Sequence, residues 1–132
     1  MRFLLRIILT AVLAWLGMLI LPLTGLVASA IAAFLVALGL HKKVPRSRYR
    51  KPKPQFPFSF WGAFIAVLFV WMTWALVLNA DNDGIMASRI AGVLKAPGTA
   101  PWVLAFLSGA VAGLVAGFAG LAGNWLGDAV RN

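Results

Sequence analysis

The stretch 101-PWVLAFLSGAVAGLVAGFAGLAGNWLG-127 contains no charged residue. It exceeds the roughly 20 apolar residues that a helix needs to cross a bilayer. Gly109, Gly113, Gly117, Gly120, Gly123 and Gly127 are spaced 4, 4, 3, 3 and 4 apart. At about 100° per residue they share an arc of about 120° on an α-helix. Asn124 and Ala116 fall in the same arc. Leu107, Val111, Leu114, Phe118, Leu121 and Trp125 take the opposite side. One face is therefore nearly bare backbone and the other is bulky. In a bilayer, small residues let a second helix approach closely, and packing replaces hydrophobic burial as the driving force. Glycine costs a helix interior about 1 kcal/mol relative to alanine. Six on one face need a compensating use, either close packing (within the chain or between subunits) or lining a pore.

Two other apolar runs lie upstream. The first, 3-FLLRIILTAVLAWLGMLILPLTGLVASAIAAFLVALGL-40, would be about 57 Å long as one helix. The hydrocarbon core is about 30 Å thick. Two crossings fit better, at about 4–21 and 23–40, with the break at 22-PLTG-25, where Pro22 and Gly25 interrupt the helix. The 28-ASA-30 triplet resembles a signal-peptidase site, but the apolar run before it is too long for a signal peptide's core. This segment is read as an uncleaved membrane helix. The second run, 56-FPFSFWGAFIAVLFVWMTWALVL-78, supplies one more crossing, at about 57–79. With the last at about 101–128, the expected fold is an all-α integral membrane protein of four transmembrane helices, in one domain over 1–132. It comprises an N-terminal hairpin (1–40), a basic loop (41–56) and a C-terminal pair (57–132) that carries a short interfacial helix at about 83–95.

Composition agrees. Of the 132 residues, 62% are hydrophobic and 11% charged, and the mean hydropathy is +0.92. Soluble domains average about 25% charged residues, so the bilayer is the expected solvent for most of the chain. There is no cysteine, which excludes disulfide, iron–sulfur and thiol chemistry. The net charge of +9 is unevenly placed. Lys42, Lys43, Arg46, Arg48, Arg50, Lys51 and Lys53 crowd one loop. With Arg2, Arg6 and Arg131 they fall on one side of a four-crossing chain, and only Arg89 and Lys95 fall on the other. The positive-inside rule puts both termini and the basic loop in the cytoplasm. The expected location is a bacterial inner membrane. Trp61 and Trp125 near the inner ends, and Trp71, Trp74 and Trp102 near the outer ends, suit an aromatic belt.

The loop 41-HKKVPRSRYRKPKPQFP-57 is interrupted by four prolines, which favour extended backbone. Its cations suit anionic lipid headgroups, an acidic partner, or simple anchoring at the surface. One tyrosine is poor material for base stacking, so nucleic acid is not an expected partner. Two further small-residue or aromatic stripes could fill the glycine groove. Gly25, Ser29, Ala33 and Ala37 repeat at i, i+4 in the second crossing. Phe60, Phe64, Trp71 and Trp74 form an aromatic stripe in the third.

The outer loop begins 79-NADNDG-84 and holds two of the three acidic residues. Asn79, Asp81, Asp83 and Gly84 match the first half of a calcium loop, but Ile90 stands where the bidentate glutamate belongs. A turn at Asp81, Asn82, Asp83 and Gly84 explains the residues better. Asp81 or Asp83 is expected to cap the helix that follows. Met86, Ile90, Val93 and Leu94 form that helix's apolar face, as in helices that lie in the membrane interface.

Reactive groups are scarce. His41 is the only histidine, and no nucleophile–base set, phosphate loop or dinucleotide fingerprint occurs. No enzyme activity, cofactor or metal is expected. Asp128, at the inner end of the last span, is expected to pair with a cation. Length and span number are similar to those of small multidrug exporters and of dual-topology fluoride channels. The exporters carry a membrane-embedded glutamate, and this chain has none. The fluoride channels insert both ways, against the charge bias here. The expected function is a non-catalytic accessory subunit or self-associating helix-packing module, with other membrane subunits or itself as partner. A homo-oligomeric passive channel or small-solute permease is the alternative.

Overall fold

Where apolar residues run on without a breaker, the chain is helical. The computed structural model describes residues 2–20, 25–40, 56–95 and 98–131, and among these there are five helices and no strand. They are α1 (Arg2–Ile20), α2 (Gly25–Gly39), α3 (Phe56–Asp81), α4 (Ile85–Val93) and α5 (Pro101–Arg131). The 22-PLTG-25 break falls mostly outside the described residues. Within α3 and α5, Phe58–Asp81 and Pro101–Gly127 are each long and apolar enough to cross a membrane. The apolar stretches of α1 and α2, Phe3–Gly17 and Gly25–Gly39, are shorter. At 15 residues, α2 is about 22 Å long.

The four long helices form a ring in the order α1, α2, α5, α3, each packed along its two neighbours. Contacts give their directions. The start of α1 meets the end of α2, where Arg6 Nη2 donates to Leu40 O at 3.1 Å. Thus α1 and α2 run antiparallel. Phe3 sits by Phe58 with ring centroids 6.0 Å apart, and Trp15 by Trp74 at 5.5 Å, so α1 and α3 run parallel. Ser59 near the start of α3 donates its hydroxyl to Gly120 O near the end of α5, at 2.9 Å.

The interior is built from small side chains. Ala14, Ala33, Ala63, Ala112 and Ala116 pack around Val67 and Val70, with Trp15, Trp71 and Trp74 partly buried at the margin. Among the described residues, Leu68 and Leu121 are the only buried hydrophobic side chains larger than valine. Large apolar side chains lie outside instead. Ile8, Leu35, Phe69 and Phe118 are each more than half exposed. Such a distribution inverts the pattern of a water-soluble globule, where the large aliphatics fill the core. The buried polar side chains, Thr10, Ser29, Ser59 and Asn124, are all uncharged.

Candidate functional site: the glycine seam and the cavity beneath α4

The glycine face of α5 is covered within the chain, and by two helices. A Cβ built on Gly109 would lie 2.7 Å from Leu68 O. One on Gly113 would lie 2.9 Å from Phe64 O, and one on Gly117 2.7 Å from the Phe60 ring. One on Gly120 would meet Ala63 Cβ and Ser59 O, both at 3.2 Å. Real Cβ atoms essentially never come within 3.0 Å, so at Gly109 and Gly113 the α3 backbone admits only glycine, whereas the obstacle at Gly117 is a side-chain ring and the contacts at Gly120 are tight rather than forbidden. These four glycines face α3. Gly123 turns to α2, where a Cβ would collide with Phe34 O and lie 3.2 Å from Ala37 Cβ. Gly127 is buried as well.

Each stripe that the sequence offered for the groove meets the glycines only in part: Phe60 and Phe64 from α3, and Ala37 from α2. Of the aromatic stripe, Phe60 and Phe64 lie over glycine, stacked at 5.9 Å with an interplanar angle of 13°. Trp71 and Trp74 instead join the margin of the small-residue core. In α2, Gly25, Ser29, Ala33 and Ala37 are all buried. The Ser29 hydroxyl donates back to Leu26 O at 2.8 Å, so its hydrogen bond stays within its own helix. One member of the bulky side of α5 departs from expectation. Leu121 is 4% exposed, because it stands one i+4 step from Gly117, at the edge of the covered arc.

The turn between α3 and α4 also departs from expectation. Neither Asp81 nor Asp83 caps α4. Asp81 is the last residue of α3, and the turn after it is a Schellman-type closure. Gly84 N–H donates to Asn79 O at 2.9 Å and Asp83 N–H to Ala80 O at 3.2 Å. Asp83 takes the left-handed position with φ +50°. The Asn82 amide donates to Leu78 O at 2.8 Å. Gly84, at φ +77°, precedes α4 and makes no side-chain cap bond. A glycine at the cap position has no side-chain oxygen to offer, and Asn79 reaches across instead. Its Oδ1 accepts from Ala87 N at 3.2 Å, satisfying an otherwise unpaired amide of the first turn. Helix α4 is also shorter than the expected 83–95. It turns Ala87 and Ala91 inward and leaves Met86, Ile90, Val93 and Leu94 exposed.

Beneath α4 lies a cavity of about 530 Å³, which the sequence did not announce. Trp71, Trp74 and Leu78 of α3 form one wall, and Leu104, Ala105 and Ser108 of α5 another. Met86 and Ile90 of α4, with Leu94 just after it, roof it. The indole N–H of Trp71 is buried with no hydrogen-bond partner among the described residues. Of the wall's polar side chains, Asn79 is committed to Ala87, and the Ser108 hydroxyl donates to Ala105 O at 2.9 Å. The nearest sequence signal is the end of the glycine series. Stepping back by four from Gly109 gives Ala105 and then Pro101, and both line the cavity.

The cationic cluster Lys42, Lys43, Arg46, Arg48, Arg50, Lys51 and Lys53 lies outside the described residues, and so does the side chain of Asp128. Among the described residues no three His, Asp or Glu side chains gather where they could share a metal ion. No protein-family model, curated protein or solved structure matches the chain.

Proposed function

We propose that this chain is a non-catalytic, membrane-embedded four-helix module that serves as an accessory subunit of a larger membrane assembly. The observation that carries the reading is the inverted packing. Small residues fill the interior, and bulky apolar residues cover the outside of every long helix. An exposed apolar patch on a soluble monomer rarely exceeds a few hundred Å². Here the apolar exterior runs right round the ring, as suits contact with lipid or with other membrane helices.

In this reading all four long helices cross the bilayer, with α1 and α2 as the thinner hairpin. Both termini and the 41–56 loop are cytoplasmic, by the distribution of Lys and Arg. The glycine face supports intramolecular packing, since α3 and α2 already cover Gly109 to Gly123. That leaves the bulky exterior of α5, including Phe106, Leu114 and Phe118, as the surface for a partner subunit.

Two measurements test this. The absence of cysteine makes single-cysteine labelling clean. An impermeant thiol reagent on intact cells should modify Asn82→Cys and leave Ser47→Cys untouched until the membrane is opened. The reverse pattern would overturn the orientation. Purification at native abundance in mild detergent should then bring down a partner at fixed stoichiometry. Recovery of the chain alone would overturn the accessory role.

A further inference from the structure

We propose that the cavity beneath α4 takes one acyl chain of a phospholipid, whose phosphate is met by Arg89 and Lys95. The inference rests on the membrane reading above. It goes beyond it by assigning a specific lipid site.

Size and chemistry point to an acyl chain. Ligand cavities run from about 300 to 1,000 Å³, with mostly apolar walls and few polar groups. This one measures about 530 Å³. A buried water needs two to four polar partners. The Asn79 side-chain oxygen and the Ser108 hydroxyl already bond the protein, and the Trp71 indole N–H is the one buried donor in the walls without a partner among the described residues, so a water would find too few partners and the walls favour hydrocarbon. The cavity also reaches the apolar exterior. Leu107 and Val111, which line it, are 53% and 57% exposed. A lipid chain can thus enter sideways from the bilayer without crossing water.

Charge identifies the other end of the occupant. In the expected topology, Arg89 and Lys95 are the only cations on the outer side of the chain. Both are exposed, and both belong to the segment that roofs the cavity. Arg89 lies on the exposed side of α4, one turn after the roof residue Met86, and Lys95 directly follows Leu94. Asp81 and Asp83 lie before the first turn of α4, so its C-terminal half is the cationic half. Arginine pairs strongly with phosphate oxygens, and lysine meets them as a point charge. A phospholipid seated with one tail under α4 would bring its phosphate to that half.

The test uses full-length protein in detergent with added dioleoyl phosphatidylglycerol or, as a phosphate-free control, dioleoylglycerol. Bound lipid is read by native mass spectrometry and by melting temperature. The phospholipid should remain bound at about one per chain and raise the melting temperature by several degrees. Dioleoylglycerol should do markedly less. Changing Arg89→Gln with Lys95→Gln, both at exposed positions, should remove most of the difference between the two lipids. Ala75→Leu, which fills the cavity wall, should remove retention of both. Equal retention in the wild type and both variants would overturn the proposal, as would equal effects of the two lipids. A co-purifying polypeptide that occupies the cavity in place of lipid would overturn it too. Carbonate extraction separates this outcome from the parent reading. A chain that stays in the membrane pellet yet retains no phospholipid loses this site alone, whereas a chain released by carbonate loses the membrane reading itself.

Discussion

Along much of their length α3 and α5 are nearly in backbone contact, yet toward the α4 end the same two helices flank a cavity. The difference lies in one face of α5, read in steps of three or four. From Gly120 through Gly117 and Gly113 to Gly109 that face carries no side chain, and α3 comes close enough that a single Cβ would collide. One step further the residue is Ala105, then Pro101, and both have become cavity wall. There the face carries a methyl group and a proline ring, and both border the space between the two helices. In a bilayer, where close packing drives helix association, the glycines set the length of the seam. The cavity overlaps the end of the series, its lining running from Pro101 to Ala112 along α5.

The strongest way to break the contrast is Gly109→Leu. The Leu68 carbonyl stands 2.7 Å from where a Cβ would sit, and a helix backbone cannot swing aside. Overpacking of this kind costs about 1–3 kcal/mol even for small insertions. A whole isobutyl group should exceed about 3 kcal/mol and abolish a cooperative melting transition in detergent. Gly109→Ala and Gly117→Ala then sharpen it. Alanine gains about 1 kcal/mol of helix propensity in both. At Gly109 the obstacle is backbone, and a net loss of about 1–2 kcal/mol is expected. At Gly117 the obstacle is the Phe60 ring, which can tilt, so the change should be near neutral. Equal losses at the two positions, measured by denaturant titration in micelles, would show that backbone and ring obstacles are equivalent.

Ser59→Ala probes the seam more gently. It deletes the buried bond to Gly120 O without adding bulk. Hydrogen bonds between membrane helices average about 0.6 kcal/mol and reach about 1.7. A loss of about 1 kcal/mol in unfolding free energy is expected, with helicity by circular dichroism unchanged.

How far these features could be read in the sequence depended on the kind of signal. The three apolar runs, the first divided near Pro22, marked the long helices, because length and hydropathy admit few alternatives. The glycine arc was plain, but its partner was not. A bare face fits any ridge, and here it fits two, since α5 runs against α3 up to Gly120 and meets α2 at Gly123. Leu121 was assigned to the outer side because a helical wheel treats the helix as having one partner. With two partners the covered arc is wider. The α4 cap was misassigned because an Asp–Asn–Asp–Gly sequence suits both the end of one helix and the start of the next. The decision fell to Asn79, a full turn earlier. The cavity had no positive signal, being marked only by the end of the glycine series.

The turn between α3 and α4 offers the smallest and most local test of the same comparison. The seam relies on glycine for closeness, whereas the turn relies on left-handed backbone, and there only one of two adjacent positions is glycine. Asp83 holds φ +50° beside Gly84 at φ +77°. Left-handed backbone costs ordinary residues about 1–2 kcal/mol, with aspartate among the more tolerant. Gly84→Ala should therefore destabilise by about 1 kcal/mol, although the space around it is open. Asp83→Gly should stabilise by about 0.5 kcal/mol, the relieved strain being partly offset by a looser unfolded chain. Opposite shifts in melting temperature at neighbouring positions would show that backbone conformation governs this end of the molecule. Matching shifts would point instead to the lost carboxylate of Asp83, and with it to an electrostatic role beside Arg89.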